Sequence, residues 1–293
     1  MADPIDLLIQ GRAHELSPGF AVRRVLPSVR RRMVGPFIFL DHFGPMVVPP
    51  GGEGMDVRPH PHIGLATVTY LFDGGIFHRD SLGYAQAIRP GDVNWMTAGS
   101  GIVHSERTEP DMRRSGFRMH GVQTWVALPR SHEETAPSFE HVAVDRLPAW
   151  SEGGGAFRLI VGTYGGRTAP TTHFSPIFYV GAELAAGAKA AVSPEHAERA
   201  VYVAEGDAAI GDRLLGVGDL AVLRPAEPVP IVAGAAGAKL MLLGGAAIDG
   251  IRHIWWNFVS SSSERIEQAK AQWRDMKFAM VPGDPEFIPL PEK

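Results

Sequence analysis

Between residues 66 and 128, short runs of β-branched and aromatic residues, ATVTYLF (66–72), DVNWM (92–96) and VQTWVAL (122–128), are separated by DGG, RPGD and AGSG. Runs of this kind suit a pleated, half-buried backbone and the separators suit tight turns, so the stretch predicts strands joined by turns. Residues 129–155 (PRSHEETAPS, then SEGGG) are richer in Pro, acids and Gly, a composition that predicts a connection between domains. The period changes in SSSSERIEQAKAQWRDMKF, where Ile266, Ala269, Trp273 and Met276 recur every three or four positions and Ser261 and Glu264 have capping-box spacing. That segment predicts one amphipathic helix whose apolar stripe packs on the body of the protein.

The second half repeats the first at low similarity. Tyr70, Asp73 and Gly74 fall on Tyr202, Glu205 and Gly206 at an offset of 132, and Gly91-Asp92-Val93 falls on Gly218-Asp219-Leu220 at an offset of 127. A duplicated strand, acidic-Gly turn and Gly-Asp turn predict two small antiparallel barrels or sandwiches. At roughly 150 residues per domain, a chain of 293 residues has room for two, and the predicted boundary gives domains 1–150 and 151–293.

Composition narrows the chemistry. The 28 basic and 32 acidic residues leave a net charge of -4, so the molecule as a whole offers no field for nucleic acid, and nucleic-acid binding is not expected. With no cysteine, thiolate chemistry and Zn-Cys sites are excluded, and a metal must be held by nitrogen and oxygen. No run reaches 18 apolar residues, and the opening MADPIDLLIQG is acidic, so a soluble, cytoplasmic protein without a membrane partner is expected.

The strongest constellation is RPHPHIG with GSGIVHSER, carrying His60, His62, His104 and Glu106. Strand side chains two apart share a face, so His60 with His62 and His104 with Glu106 each project one way. On neighbouring strands, the two pairs surround one point with three imidazoles and a carboxylate. That set suits a divalent first-row ion and leaves coordination positions for water, substrate or dioxygen. Under the repeat offsets the four positions become Val192, Pro194, Ile231 and Ala233, so the second domain lacks the ligands. Histidines must be neutral to bind metal, which predicts affinity falling below about pH 6.5.

HPHIGLATVTYLFDGG (60–75) and RPGDVNWMTAGSGIVHSE (89–106) resemble the paired metal motifs of the cupin superfamily and, more narrowly, of pirins. FAVRRVLPSVRRRMVGPFIFLDHFGP (20–45) and VQTWVALP (122–129) are also pirin-like. The resemblance implies an all-β fold of two antiparallel β-barrel or jelly-roll cupin domains with a C-terminal α-helix. It also implies one metal in the first domain, most often Fe(II), with Mn, Ni, Cu or Zn as alternatives, held by His60, His62, His104 and Glu106. One departure is that the Glu of the general cupin first motif is replaced by Ala66 and Thr67. Two functions are implied. One is a quercetinase-type dioxygenase acting on a small aromatic substrate and O2, with Glu106 as the catalytic proton acceptor. The other is a non-enzymatic, redox-dependent regulator binding a transcription factor or metabolic enzyme. A metal-dependent hydrolase or isomerase could use the same ligands.

Lesser candidates have bland readings beside them. His78 could approach the mouth of the metal site, but it follows a DGG turn and is expected to be exposed. Asp41 and His42 could orient a ligand or simply shape a loop, and Gln123 and His120 lie near a predicted strand where Gln123 could bond a ligand or substrate. Trp95, Met96 and Phe43 could line the pocket, although such residues are by default expected in the core. Arg30, Arg31 and Arg32 are expected on a solvated face.

Overall fold

A computed structural model describes residues 3–17, 20–225 and 227–292. The fold is all-β with two cupin domains, each of jelly-roll type, plus a C-terminal helix. Its sheets do not close into barrels. None of the described helices is long and apolar enough to cross a membrane.

The predicted strands are present as Leu65–Asp73, Val93–Thr97 and Phe117–Ala127. They lie side by side in a seven-stranded sheet that runs Ser138–Val142, Val93–Thr97, Leu65–Asp73, Phe117–Ala127, Phe37–Val48, Phe20–Leu26 and Arg12–Ser17. A four-stranded sheet runs Val57–His62, Ile102–Arg107, Ile76–Asp80 and Ala85–Ile88. Residues 129–155, expected to connect domains, hold two strands instead. Phe139 and Val142 bury their side chains from Ser138–Val142, and Ala149–Glu152 pairs with Gly155–Tyr164. Burial at two apolar positions outweighed the loop-like composition around them.

The compact units differ from the expected cut at 150/151. One comprises the described residues up to 13 with 23–42 and 145–247, and the other those of 14–22, 43–144 and 248–293. The helix Ser263–Arg274, expected to end the second domain, therefore belongs with the histidine motifs. The reason is packing: Ile266, Ala269 and Trp273 bury against Ile63, Val103 and Phe258. The cap also shifts by one residue. Ser262 Oγ accepts the Arg265 N–H at 3.2 Å, while Ser261 gives its N–H and hydroxyl to the buried carboxylate of Glu133. Met276 lies beyond the helix end, at φ 53°, and is exposed rather than part of the stripe.

The repeat is visible in backbone detail. Tyr70 opposes Val93 as Tyr202 opposes Leu220, and the Gly91 N–H bonds Leu71 O at 2.9 Å as the Gly218 N–H bonds Val203 O at 2.9 Å. These are the offsets of 132 and 127 read from sequence. In the unit that contains residues 145–247, Val192, Ile231 and Ala233 are buried among Val, Leu, Ile and Phe side chains.

Candidate metal centre

The histidines come together because two antiparallel strands pair as neighbours, as expected. Val57–His62 pairs with Ile102–Arg107 so that His104 opposes His60 and Ile102 opposes His62. Alternation then turns His60, His62 and His104 to one side. The register slips after His104, leaving Glu106 opposite Val57. Gly64, at φ 68°, ends the HPHIG segment where a Cβ would stand 2.0 Å from Val259 O, so only glycine lets the chain segment at 259 pass so close. That segment belongs to the hairpin His253–Trp255 and Phe258–Ser260, which brings Asn257 to the back of His62.

One ring nitrogen from each of His60, His62 and His104 lies within 4.8 Å of the other two, and all three residues are buried. Two of the rings have a defined tautomer, because a carbonyl can only accept. His60 Nδ1 donates to Arg58 O at 2.9 Å and His62 Nδ1 donates to Asn257 O at 3.2 Å, leaving both Nε2 atoms as lone pairs. His62 Nε2 and His104 Nε2 are 3.1 Å apart, and His104 Nδ1 is buried without a hydrogen-bond partner among the described residues. Without a cation, either two lone pairs face each other or His104 spends its proton on His62 and buries a bare Nδ1. A metal shared by the Nε2 atoms removes the conflict, so the residues fit one.

Burial lowers the pKa of all three histidines. His60 falls to about 4, with repulsion from His78 adding to desolvation and the Arg58 carbonyl opposing it. His62 and His104 lie well below the usual range, first through desolvation and then through neighbouring imidazoles. The expected loss of metal below about pH 6.5 therefore moves downward, since these rings stay neutral and competent through pH 6.

Glu106 is buried on the same strand but lies outside the group of three nitrogens. Burial raises its pKa to about 7, against a small opposing effect of Thr69. Thr69 Oγ1 stands 3.4 Å from Glu106 Oε1 and 2.8 Å from Gln123 Oε1. A hydroxyl has one proton, and the shorter contact takes it. Thr69 therefore gives Glu106 Oε1 only a weak hydrogen bond, which opposes the effect of burial without cancelling it.

The other candidates separate cleanly. His78, expected to be exposed, is buried: it bonds Asp80 at 2.9 Å, stacks on Phe139 at 4.3 Å between centroids, and lies 5.4 Å from the His104 ring. The i, i+2 spacing of His78 and Asp80 on a strand was the available signal, and the preceding turn hid it. Gln123 reaches Glu106 only through Thr69, and His120 is buried with its ring 4.6 Å from Phe72. Trp95, Met96 and Phe43 are core residues. In the other unit, Asp41 receives two bonds from Arg24, and His42 Nδ1 lies 2.8 Å from the Tyr202 hydroxyl. Of the basic run, Arg31 pairs with Glu198 at 2.9 Å, whereas Arg30 and Arg32 are exposed. No sequence reasoning reached the Asn257 carbonyl, because any residue can supply one.

The family pattern described as Pirin matches residues 19–126, and that of the Pirin C-terminal cupin domain matches residues 179–279. A pirin-like protein of Caulobacter vibrioides is 50% identical over 98% of this chain and 100% of its own length. The chain belongs to the pirin family. Within this pirin, the N-terminal match spans all four candidate ligands, while the C-terminal match spans Val192, Ile231 and Ala233. A crystal structure of quercetin 2,3-dioxygenase from Acinetobacter baumannii is 34% identical, covers 98% of this chain and 95% of its own, and superposes with a TM-score of 0.90. A bacterial pirin from Escherichia coli, solved in complex with nickel(II), shares the fold at 16% identity and a TM-score of 0.65, over 83% of this chain and 99% of its own.

Proposed function

We propose that this pirin is a metal-dependent, quercetinase-type dioxygenase. His60, His62 and His104 hold iron, and Glu106 serves as a fourth, labile ligand and as the acceptor of the substrate proton. The observation that carries the reading is the convergence of three buried, neutral imidazoles beside one carboxyl whose pKa is about 7. The 34% identical quercetin 2,3-dioxygenase supports a flavonol-type aromatic substrate and O2 as co-substrate.

Bound here, ferrous iron supplies Lewis acidity toward a phenolic oxygen and an electron path to dioxygen. The protein's share is positioning and proton handling. The Arg58 and Asn257 carbonyls keep two Nε2 lone pairs aimed inward. Glu106 removes the hydroxyl proton of the bound substrate and makes it a better electron donor. A pKa near the working pH is the best compromise between being ionised and being basic. Thr69, bonded to Gln123 at 2.8 Å, stands 3.4 Å from Glu106 Oε1 and steadies that side of the carboxyl group.

The test is oxygen uptake by the iron-loaded protein on adding quercetin, beside Glu106→Gln. Turnover should fall roughly 10²- to 10⁴-fold in the variant with metal retained, the usual share of a general base. Full turnover in Glu106→Gln would remove its role. No uptake by the loaded wild-type protein would turn the reading toward a non-enzymatic, partner-binding pirin.

A further inference from the structure

Three imidazoles converge, but only two are oriented by hydrogen bonds. The third, His104, has no partner at Nδ1 among the described residues, yet a metal ligand with a free ring rotation would hold its ion poorly. On the strand pairing opposite to that of Val57–His62, its neighbours are Asp80 and the His78 ring.

Ile76–Asp80 pairs with Ile102–Arg107 so that Asp80 opposes His104 and His78 opposes Glu106. Cross-strand partners share a face, so His78 and Asp80 look into the same interior as the ligands. The His78 ring lies 5.4 Å from the His104 ring at 41° and is stacked on Phe139 at 13°. It is thus a flat wedge with Phe139 behind it. Its in-plane rotation is stopped by Asp80 Oδ2, 2.9 Å from His78 Nε2. Asp80 is in turn immobile, for it is fully buried and its Oδ1 accepts the N–H groups of Leu82 at 2.9 Å and Tyr84 at 3.1 Å. Ser81 completes the clamp. Its N–H bonds Val103 O at 2.8 Å, and its Oγ accepts the Val103 N–H at 3.1 Å, so the residue preceding His104 is tied to the same turn.

We infer that His78 is a positioning residue for His104, replacing by ring packing the hydrogen bond that the other two ligands have. The inference rests on the metal-centre reading. His78 needs to be a ring, not a base. A phenyl group at 78 preserves the wedge between Phe139 and His104, whereas a methyl group leaves His104 free to turn.

The experiment is Co(II) binding by the full chain, measured by chelator competition and by the visible d–d spectrum, for wild type, His78→Ala and His78→Phe. Each protein is first checked for native circular dichroism without metal. His78→Ala should bind about 10- to 100-fold more weakly, the usual cost of losing a group that orients a metal ligand, with altered d–d bands. His78→Phe should stay within about threefold of wild type and restore the wild-type bands. His78→Ala with wild-type affinity and spectrum overturns the inference. So does a folded His78→Phe that loses as much affinity as expected of the alanine variant, and this comparison stands even where His78→Ala does not fold. Wild-type protein that binds no Co(II) would overturn the metal centre itself, and with it this inference.

Discussion

Two regions of this pirin share a backbone plan and differ in what fills it. In one, Leu65–Asp73 and Val93–Thr97 pair around Tyr70 and Val93, and the neighbouring sheet turns His60, His62, His104 and Glu106 inward. In the other, Glu198–Ile210 and Asp219–Leu223 pair around Tyr202 and Leu220, and the interior is Val192, Ile231 and Ala233 among other apolar side chains. The difference separates two tasks that a jelly roll can perform. Burying Val and Ile stabilises the fold directly, at about 1.5–3 kcal/mol per side chain. Burying four ionisable groups costs stability unless they stay neutral or meet a counter-charge. Here burial lowers the pKa of the histidines and raises that of Glu106 to about 7, in each case toward the neutral form. The second region carries an ordinary apolar core, and the first brings together three buried imidazoles able to hold a metal ion.

The sharpest way to break the comparison is to remove ligands from one region and core from the other. His60→Ala/His104→Ala should abolish stoichiometric metal, read by elemental analysis of protein purified without chelating tags; metal at wild-type levels would place the site elsewhere. Ile231→Ala, at the position matching His104, should leave metal content unchanged and lower stability by about 2–5 kcal/mol in urea unfolding, the usual cost of emptying a buried Ile site. A metal-content change there would show that the two interiors are not separate in function.

Acidity sharpens the contrast further. In metal-free protein the histidines bind protons in the unfolded chain near pH 6.5 but, for His60, only near 4 when folded. Their contribution is therefore complete above about pH 6.5 and is lost as pH falls toward 4. Glu106 behaves oppositely. Its folded pKa of about 7 exceeds the ordinary 4.5, so its contribution is complete below that value and is lost as pH rises through 7. Urea midpoints of metal-free protein should rise from pH 4.5 to 6.5, where three histidines outweigh one carboxyl, and level above about 7. Glu106→Gln should steepen that rise, and an unchanged profile in that variant would contradict the raised pKa of Glu106. The smallest effect is expected at the helix cap: Ser262→Ala should cost about 1 kcal/mol while Ser261→Ala leaves the first helical turn intact, distinguishable by thermal unfolding and helical circular dichroism.

Much of this was legible in the chain because the relevant physics is local. Period-2 alternation is a property of any strand, so His60 with His62 and His104 with Glu106 had to share faces once the strands formed. The repeat offsets survived because the Gly91 and Gly218 turns need the same positive φ, 82° and 96°, that glycine supplies. The helix was readable from Ile266, Ala269 and Trp273, whose spacing matches its turn.

What tertiary structure alone decided is which distant groups meet. Alternation could not say that His78 would be pressed between Phe139 and His104, because Phe139 sits in a segment whose composition resembles a linker. Nor could it say that the carbonyl of Asn257, from a hairpin 195 positions along the chain, would fix the tautomer of His62. The same limit placed the helix with the unit that carries the histidine motifs rather than with its sequence neighbours. Local sequence determined the faces and turns, since these follow from the backbone's own periodicity. The partners of each ligand were set by long-range packing, in which any backbone carbonyl or aromatic ring of suitable position serves and no residue type announces it.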